Sequence, residues 1–259
     1  PRLVPGLNGQ FVQRLEEQGS THRVRMLVYL PGLPYRRGPF PSMTGLEAVG
    51  AFLARLDRAL SGFSHPASGH FMPWDICRGH VLSAQFRALI PSEARSLCEP
   101  LFQRVETNVY PSLDKLRRQV IHQDAHGNNL LREDAQSEAV VGLIDFGDMI
   151  EGPLISDVAV CASHFMETGP DPVAVAAAIC RGFESVTRLE PLEKRLLLDL
   201  VTARQLLTLQ LFEFRRLNMP HAPALDVEEK PRIIRSLERL AATDPAEFAN
   251  RLDAAEAVS

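Results

Sequence analysis

Residues 120–130 read VIHQDAHGNNL and residues 143–148 read LIDFGD, and these two segments decide how the chain is interpreted. The first carries a His-x-Asp-x-x-x-x-Asn pattern, and the second contains Asp-Phe-Gly. Short apolar runs at 119–121 and 140–144 are typical of buried strands. Residues 133–137 between them are polar and predict a turn, so we expect the two strands to pair as a hairpin. Such a hairpin would bring Asp124, Asn129 and Asp145 together at one end of a small sheet.

The residue types in this cluster match what phosphoryl transfer from a nucleotide requires. One carboxylate must accept or orient the proton of the attacking hydroxyl, and Asp124 is the candidate for that role. An amide oxygen and a second carboxylate must bind Mg²⁺, because hard cations prefer oxygen ligands. Asn129 and Asp145 are the candidates for these ligands. His122 completes the predicted catalytic set, as a residue that braces the loop by hydrogen bonds.

The two segments resemble the aminoglycoside phosphotransferase and choline kinase superfamily, whose catalytic loop commonly reads His-Gly-Asp-x-His-x-x-Asn. His122, Asp124, His126 and Asn129 match this pattern, whereas Gln123 replaces the usual glycine. Three further segments resemble the hydroxylysine kinase branch: FMPWD at 71–75, IDFGDM at 144–149 and GFESVT at 182–187. The resemblance extends from about residue 24 to about residue 217.

This resemblance implies an α+β, protein-kinase-like fold of the aminoglycoside phosphotransferase type. Residues 1–32 would form a remnant N-lobe hairpin and hinge. Residues 33–259 would form the helical C-terminal lobe, with the catalytic loop at 119–132 and the metal-binding Asp-Phe-Gly turn at 140–153. The implied activity is transfer of the γ-phosphate of ATP or GTP, with Mg²⁺, to a hydroxyl of a small amine or amino acid such as hydroxylysine.

The N-terminal segment predicts two strands, 11–15 and 23–30, joined by a turn at 17–21. In a kinase-like fold this is the last hairpin of the N-terminal lobe. Residues 28–32 would then be the hinge, where the backbone of Val28, Tyr29 and Leu30 would pair with the nucleotide base. The alternative is an edge hairpin on a helical domain.

The remaining chain shows the periodicity of helices. Thr44 and Glu47 have the spacing of a capping box, which predicts a helix start there. Asp171-Pro172 and Asp244-Pro245 predict two further starts, since proline is favoured at the first helical position. Apolar residues recur every three or four positions in two stripes, Leu46, Val49, Leu53, Leu56 and Leu60 and then Leu97, Leu101, Val105 and Val109.

Two aspartates near the Asp-Phe-Gly turn have alternative interpretations. By the resemblance, Asp157 would hydrogen-bond the catalytic loop from below and brace His122 or its backbone. The alternative is an ordinary first-turn acid that the helix dipole stabilises; the two interpretations are compatible, and we favour the brace. Asp148 is either a second metal contact or a turn residue, and we favour the turn.

The acceptor pocket is predicted near Trp74, Asp75 and His126. An aromatic face beside a carboxylate suits an ammonium group, although a single tryptophan is more often a packing residue. Three polar residues stand among leucines on the long C-terminal helix and either line the pocket or face water: Arg204, Gln205 and Glu213.

Two kinase features are absent from the sequence. A kinase needs a glycine-rich loop and a lysine on a neighbouring strand, whereas the only lysines are Lys115, Lys194 and Lys230. Glycines 6, 9 and 19 match no phosphate loop. The expectation is therefore a C-terminal lobe plus one hairpin of a kinase whose front portion is missing, with little activity of its own. A degenerate pseudokinase is the alternative.

Composition excludes several other classes. A net charge of −4 disfavours a broad nucleic-acid surface, and no apolar run of 18 residues indicates a membrane span. Four widely spaced cysteines fit a reducing cytoplasm, and oligomeric state is left open. Two rival functions stay under consideration: a non-catalytic kinase-like binding module, and a metal-dependent hydrolase with zinc on His122, Asp124, His126 and Asp145.

Overall fold

The structure, a computed structural model, describes residues 1–78, 87–219 and 228–254. Within these ranges it has an α+β architecture dominated by helices, as predicted. The helices are α1 (Met43–Leu60), α2 (Ser92–Asn108), α3 (Leu154–Thr168), α4 (Pro172–Glu184), α5 (Pro191–Asn218), α6 (Glu229–Ala241) and α7 (Pro245–Ala254). The strands are β1 (Leu3–Val4), β2 (Gln13–Glu17), β3 (Ser20–Val24), β4 (Met26–Leu27), β5 (Leu33–Pro34), β6 (Arg118–Ile121), β7 (Leu130–Arg132), β8 (Val140–Leu143) and β9 (Ile150–Pro153).

The helices enclose one main hydrophobic core. The predicted stripes of α1 and α2 face it, and Leu46, Val49 and Leu53 are fully buried there. The starts predicted at the two Asp-Pro pairs are confirmed, since α4 begins at Pro172 and α7 at Pro245. In the described parts of the chain, no helix has both the length and the apolar character of a membrane span.

Helix α1 begins earlier than the sequence predicts. Ser42 is its N-cap, and the Ser42 hydroxyl accepts a hydrogen bond from the backbone N–H of Gly45 at 3.2 Å. The predicted capping box of Thr44 and Glu47 is therefore wrong. Glu47 instead forms an ion pair with Arg181 of α4, with 2.8 Å between Oε1 and Nη2.

The strand pairing around the catalytic loop also differs from the prediction. Strand β6 does not pair with β8; it pairs antiparallel with β9, with Val120 opposite Glu151. Strand β8 pairs with β7, a three-residue strand directly after the catalytic loop that the sequence pattern does not predict. The polar turn at 133–137 is short enough to join β7 to β8, which leaves β6 available for β9. Both the catalytic loop and the Asp-Phe-Gly turn consequently run from one strand pair to the other.

The N-terminal hairpin is present with shifted bounds. Strands β2 and β3 pair antiparallel around Gln18 and Gly19, where both residues have positive φ. The predicted second strand is not continuous to residue 30, because β3 ends at Val24 and the next two paired residues form β4, which pairs with β1. This segment packs little against the helices, and most of its large apolar side chains are exposed.

The segment after the hairpin joins the helical part through β5, which pairs with β7 so that Pro34 lies opposite Leu131. Gly32 immediately before it has φ +148°, and a Cβ atom there would lie 2.9 Å from the Leu131 side chain. Glycine is therefore required where residues 1–32 meet the helical part.

Candidate active site

The catalytic loop is held from below by the first turn of α3. Asp157 is fully buried, and its two carboxylate oxygens accept hydrogen bonds from the backbone N–H groups of His122 (2.9 Å) and Gln123 (2.6 Å). The contact expected from the family resemblance is present. Asp157 also lies in the first turn of α3, where an acid is stabilised by the helix dipole, so the two interpretations are compatible.

Gln123 has the backbone conformation that explains why glycine is usual at this position. Its φ is +68°, in the left-handed region that costs a non-glycine residue about 1–3 kcal/mol. Such a conformation persists only where the surroundings impose it, and here the bond from the Gln123 N–H to Asp157 does so. The side chain of Gln123 is fully buried, and its amide has no hydrogen-bond partner in the described part of the chain.

His122 connects the catalytic loop to the Asp-Phe-Gly turn. Its Nε2 atom donates to the carbonyl oxygen of Ile144 (3.2 Å), and its Nδ1 atom accepts from the backbone N–H of Asp124 (3.3 Å). The ring meets Phe146 edge to face, with 4.9 Å between centroids. Both ring nitrogens are thus used by the backbone, which fits a bracing role and leaves neither nitrogen for zinc.

Asp124 is surrounded by three side chains that hold its carboxylate. His126 Nε2 lies 3.2 Å from Oδ2, the Asn129 amide donates to Oδ2 at 2.8 Å, and Arg204 Nη2 lies 3.4 Å from Oδ1. Burial alone would raise the pKa of Asp124, but His126, Arg204 and His122 together hold this pKa below the usual aspartate value. The carboxylate is therefore ionised at neutral pH and fixed in direction.

Arg204 is the main site residue that the sequence left undecided. It is buried on α5, and its Nη1 atom donates to the carbonyl oxygen of Trp74 at 2.8 Å. The available signal was an arginine among leucines on a long helix, which predicts either a surface position or a buried ionic contact. Gln205 and Glu213 are also buried, and they bond to Ser163 and to Arg216 respectively, away from Asp124.

The predicted metal ligands are Asn129, which contacts Asp124, and Asp145 on the Asp-Phe-Gly turn. The side-chain amide nitrogen of Asn129 donates to Asp124, so the side-chain oxygen of Asn129 is the atom left for a cation. Asp145 is exposed and has φ +65°. Burial first, and then the charges of Asp124 and Asp145, raise the pKa of Asp148. Carboxylates that repel one another in this way, together with an amide oxygen, fit a hard divalent cation.

The described residues contain no group of three or more His, Cys, Asp and Glu side chains arranged to hold a metal ion. The Asn129–Asp145 pair would leave room for water and phosphate oxygens, which is the usual way in which Mg²⁺ is bound. The donor set therefore suits magnesium, and the zinc arrangement considered for a hydrolase is not found among these residues.

Trp74 and Asp75 are both committed to local contacts. Trp74 packs against Met72, and its indole N–H donates to Asp148 at 3.1 Å. Asp75 is buried, accepts from the backbone N–H of Cys77 (2.9 Å) and faces Arg78 at 3.4 Å. Of the three predicted pocket residues, His126 alone directly contacts the Asp124 side chain; its ring also stacks on His164 with 4.4 Å between centroids.

The predicted hinge lies at the edge of the helical part. The backbone N–H of Val28 donates to the carbonyl oxygen of Arg2 (2.8 Å), so this group is already used. Tyr29 is 82% exposed, and the Leu30 side chain lies over Gly142 of β8. The backbone of Tyr29 and Leu30 is what would remain for a nucleotide base.

A catalytic loop with an ordered Asp and Asn, an Asp-Phe-Gly turn and a predominantly helical lobe together define a protein-kinase-like fold. Comparison with known proteins agrees. The family model described as the phosphotransferase enzyme family matches residues 8–193. The solved structure of a microcompartment-associated aminopropanol kinase superposes with a TM-score of 0.66 at 18% identity, covering 97% of this chain and 76% of that one. An amicoumacin kinase in complex with AMP-PNP, Ca²⁺ and Ami gives a TM-score of 0.63 at 13% identity, covering 95% and 75%.

The chain belongs to the phosphotransferase enzyme family, whose model covers most of its length. Among curated proteins it is similar to hydroxylysine kinase from Mus musculus, with 31% identity over 195 residues. That match covers 71% of this chain and 52% of the mouse protein, so the chain spans about half the length of this relative.

Proposed function

We propose that this protein transfers the γ-phosphoryl group of ATP or GTP to a hydroxyl group of a small amine or amino acid, with hydroxylysine as the reference acceptor. The position of Asp124 is the observation that carries the proposal. Its carboxylate is ionised, fixed by three side chains and in contact with Asn129, one of the two predicted metal ligands. Asp124 would orient the acceptor hydroxyl and accept its proton as the bond from the acceptor oxygen to the γ-phosphorus forms. The bond from the γ-phosphorus to the β–γ bridging oxygen breaks, and ADP or GDP leaves.

The other residues support this role by position. Asn129 and Asp145 would hold Mg²⁺, which when bound offsets the negative charge of the nucleotide phosphates. His122 keeps the turn that carries Asp145 in register with the loop that carries Asn129, through its hydrogen bonds to Ile144 and Asp124. Asp157 fixes the start of the same loop.

The nucleotide base would pair with the backbone of the hinge at Tyr29 and Leu30. The likeness to hydroxylysine kinases supports an amino-alcohol or hydroxy-amino-acid acceptor. Residues 1–32 and 33–259 would act as an N-terminal segment over the nucleotide and a helical lobe beneath it.

Asp124→Asn tests the catalytic assignment. Single-turnover assays at high protein concentration, which also detect slow transfer, should show a rate about 10²–10⁴-fold lower than that of the unsubstituted chain. The dissociation constant for the nucleotide should change little, because Asp124 faces the acceptor. A variant that keeps most of its rate would remove Asp124 from this role.

Asp145→Ala tests the metal assignment separately. Loss of a carboxylate ligand should weaken magnesium–nucleotide binding and slow transfer together. Asn129→Ala should act in the same direction but less strongly. The exposed Asp114→Ala is the control and should change neither quantity. Unchanged magnesium dependence in both site variants would show that the metal is held elsewhere.

A further inference from the structure

A cavity of about 340 Å³ lies next to the catalytic loop and is not used by the site described above. Its walls come from the turn before α1, the catalytic loop, α3 and α6. The lining residues that matter here are Tyr35, Arg36, Gly127, His164, Phe165 and Arg232.

Two stacked histidines connect this cavity to Asp124. His164 in the cavity wall stacks on His126, and His126 Nε2 lies 3.2 Å from the Asp124 carboxylate. Gly127 is also part of the catalytic loop, and its carbonyl oxygen accepts the backbone N–H of Arg36 at 2.8 Å. The backbone position of Arg36 is thus fixed relative to the catalytic loop.

Two arginines, Arg36 and Arg232, line the cavity. Arg232 pairs with Glu167 in its wall. Below the cavity, fully buried Arg132 stacks on Tyr35, with 4.9 Å from Cζ to the ring centroid, and donates to two backbone carbonyls. The Glu138 carboxylate interacts electrostatically with Arg132 and also binds Ser42. Arg36 forms no ion pair with any described residue, so its guanidinium group is the one in this wall that is available to a ligand carboxylate.

The rest of the cavity is suited to a short aliphatic chain. Phe165 meets Tyr35 edge to face, with 6.2 Å between centroids, and provides an apolar wall. His164 Nε2 is buried and has no hydrogen-bond partner within the described ranges. A planar guanidinium binds a carboxylate through two parallel hydrogen bonds, which fixes both position and direction.

Resting on the proposed function, we propose that the acceptor is an amino acid whose carboxylate binds Arg36 in this cavity, while its side-chain hydroxyl passes His126 to reach Asp124. Arg36 is then a specificity-determining residue. It distinguishes hydroxy-amino acids from amino alcohols that lack the carboxylate.

Calorimetric titration of the full chain with hydroxylysine and with its carboxamide tests this inference. The unsubstituted chain should bind hydroxylysine more tightly. Arg36→Gln should weaken hydroxylysine binding by about 10- to 100-fold, as expected for a lost hydrogen bond to a charged group. Binding of the carboxamide should change less than about threefold. Arg37→Gln, in the same turn but outside the cavity, should affect neither ligand.

Equal weakening of acid and carboxamide in Arg36→Gln, or no preference for the acid in the unsubstituted chain, would overturn the carboxylate site. A loss of affinity for AMP-PNP in Arg36→Gln, with hydroxylysine binding intact, would also overturn it and assign Arg36 to the nucleotide phosphates. Arg36-dependent hydroxylysine binding without any phosphoryl transfer would support the carboxylate site and count against the proposed function.

Discussion

Asp157, which binds the catalytic loop, interacts with a second buried acid, Asp57. Asp57 on α1 is 1% exposed, and neither of its carboxylate oxygens meets a hydrogen-bond donor among the described residues. A buried carboxyl group without donors is stable only as the neutral acid. Burial, and then the charge of Asp157, raise the pKa of Asp57 well above the usual aspartate value. Asp57 therefore keeps its proton and donates it in a hydrogen bond to Asp157, which links α1 to the catalytic loop.

The Asp57 proton predicts a pH dependence of stability. Because the pKa is raised in the folded state, its contribution is fully present below the unfolded value near 3.8 and is lost as pH rises through the folded pKa. The slope is at most about 1.4 kcal/mol per pH unit. Asp57→Asn keeps a donor for Asp157 without titrating, so its free energy of unfolding should fall less than that of the unsubstituted chain between about pH 5 and about pH 8.

Urea unfolding of both proteins across this pH range measures the difference. The ionisable groups around the pair of Asp57 and Asp157, namely His122 beside Asp157 and Cys161 beside both, are present in both proteins, so their effects largely cancel. Asp114→Asn, at an exposed position, serves as the control. Parallel pH curves for Asp57→Asn and the unsubstituted chain would mean that Asp57 is ionised in the folded state.

The residues that the sequence identified are those within its two local motifs. Asp124, Asn129 and Asp145 could be predicted because a loop and a turn keep their internal spacing whatever the rest of the chain does. Arg204 and Asp57 lie 80 and 67 positions from Asp124, on helices whose relative rotation is set only by packing. The sequence periodicity places Arg204 and Asp57 near apolar stripes, but it does not predict that both lie close to the catalytic loop.

At the scale of elements, α1 and α4 approach so closely that glycine is needed on each. An added Cβ on Gly182 would overlap the backbone carbonyl oxygen of Glu47, and one on Gly50 would overlap that of Ile179. A backbone oxygen cannot move aside as a flexible side chain can. The contact positions α1, whose start binds Glu138 and whose Asp57 supports Asp157.

Gly182→Ala should therefore destabilise the protein by about 1–3 kcal/mol, the usual cost of overpacking. The sign of this stability change is informative, because replacing glycine by alanine in an unhindered helix interior would stabilise the protein by about 1 kcal/mol. Gly69→Ala is the matched control, since nothing lies within 4 Å of its added Cβ, and its effect should stay within about 0.5 kcal/mol. Urea unfolding of the two variants gives the comparison; a Gly182→Ala protein more stable than the unsubstituted chain would show that the helices are further apart.

The strand pairing was the element-level feature that the sequence predicted wrongly. Apolar runs identified β6 and β8, but three-residue β7 is too short to show a period. Once β7 is present, the nearest partner of β8 along the chain is β7, and β6 pairs with β9. The catalytic loop and the Asp-Phe-Gly turn still lie together, because the loop connects β6 to β7 and the turn connects β8 to β9.

At the scale of the whole molecule, residues 1–30 differ from the rest in their packing. Leu3, Phe11, Leu15, Met26 and Val28 are all more than 40% exposed, whereas the helices share one continuous core. Alternation in the sequence identified the hairpin here, but it does not say what the apolar face contacts.

The last prediction concerns catalysis by residues 1–259 as an isolated polypeptide. Of the three lysines, Lys194 pairs with Glu184 at 2.8 Å and Lys230 with Glu93 at 3.0 Å, and Lys115 is exposed. None of these provides a cation beside Asp124, where Arg204 already holds the carboxylate. Phosphoryl transfer depends almost entirely on positioning and electrostatic stabilisation of the phosphates.

The isolated polypeptide should therefore fold as a helical protein, transfer phosphate slowly in single-turnover assays, and turn over far below the roughly 1–100 s⁻¹ of ordinary kinases. The measurement uses purified polypeptide, Mg²⁺, ATP or GTP and a panel of hydroxylated amines and amino acids, with circular dichroism to verify folding. Asp124→Asn is the background control in the same assay. Turnover within the ordinary range would show that residues of this polypeptide already hold the β- and γ-phosphates. Arg204 or another arginine would then replace the lysine.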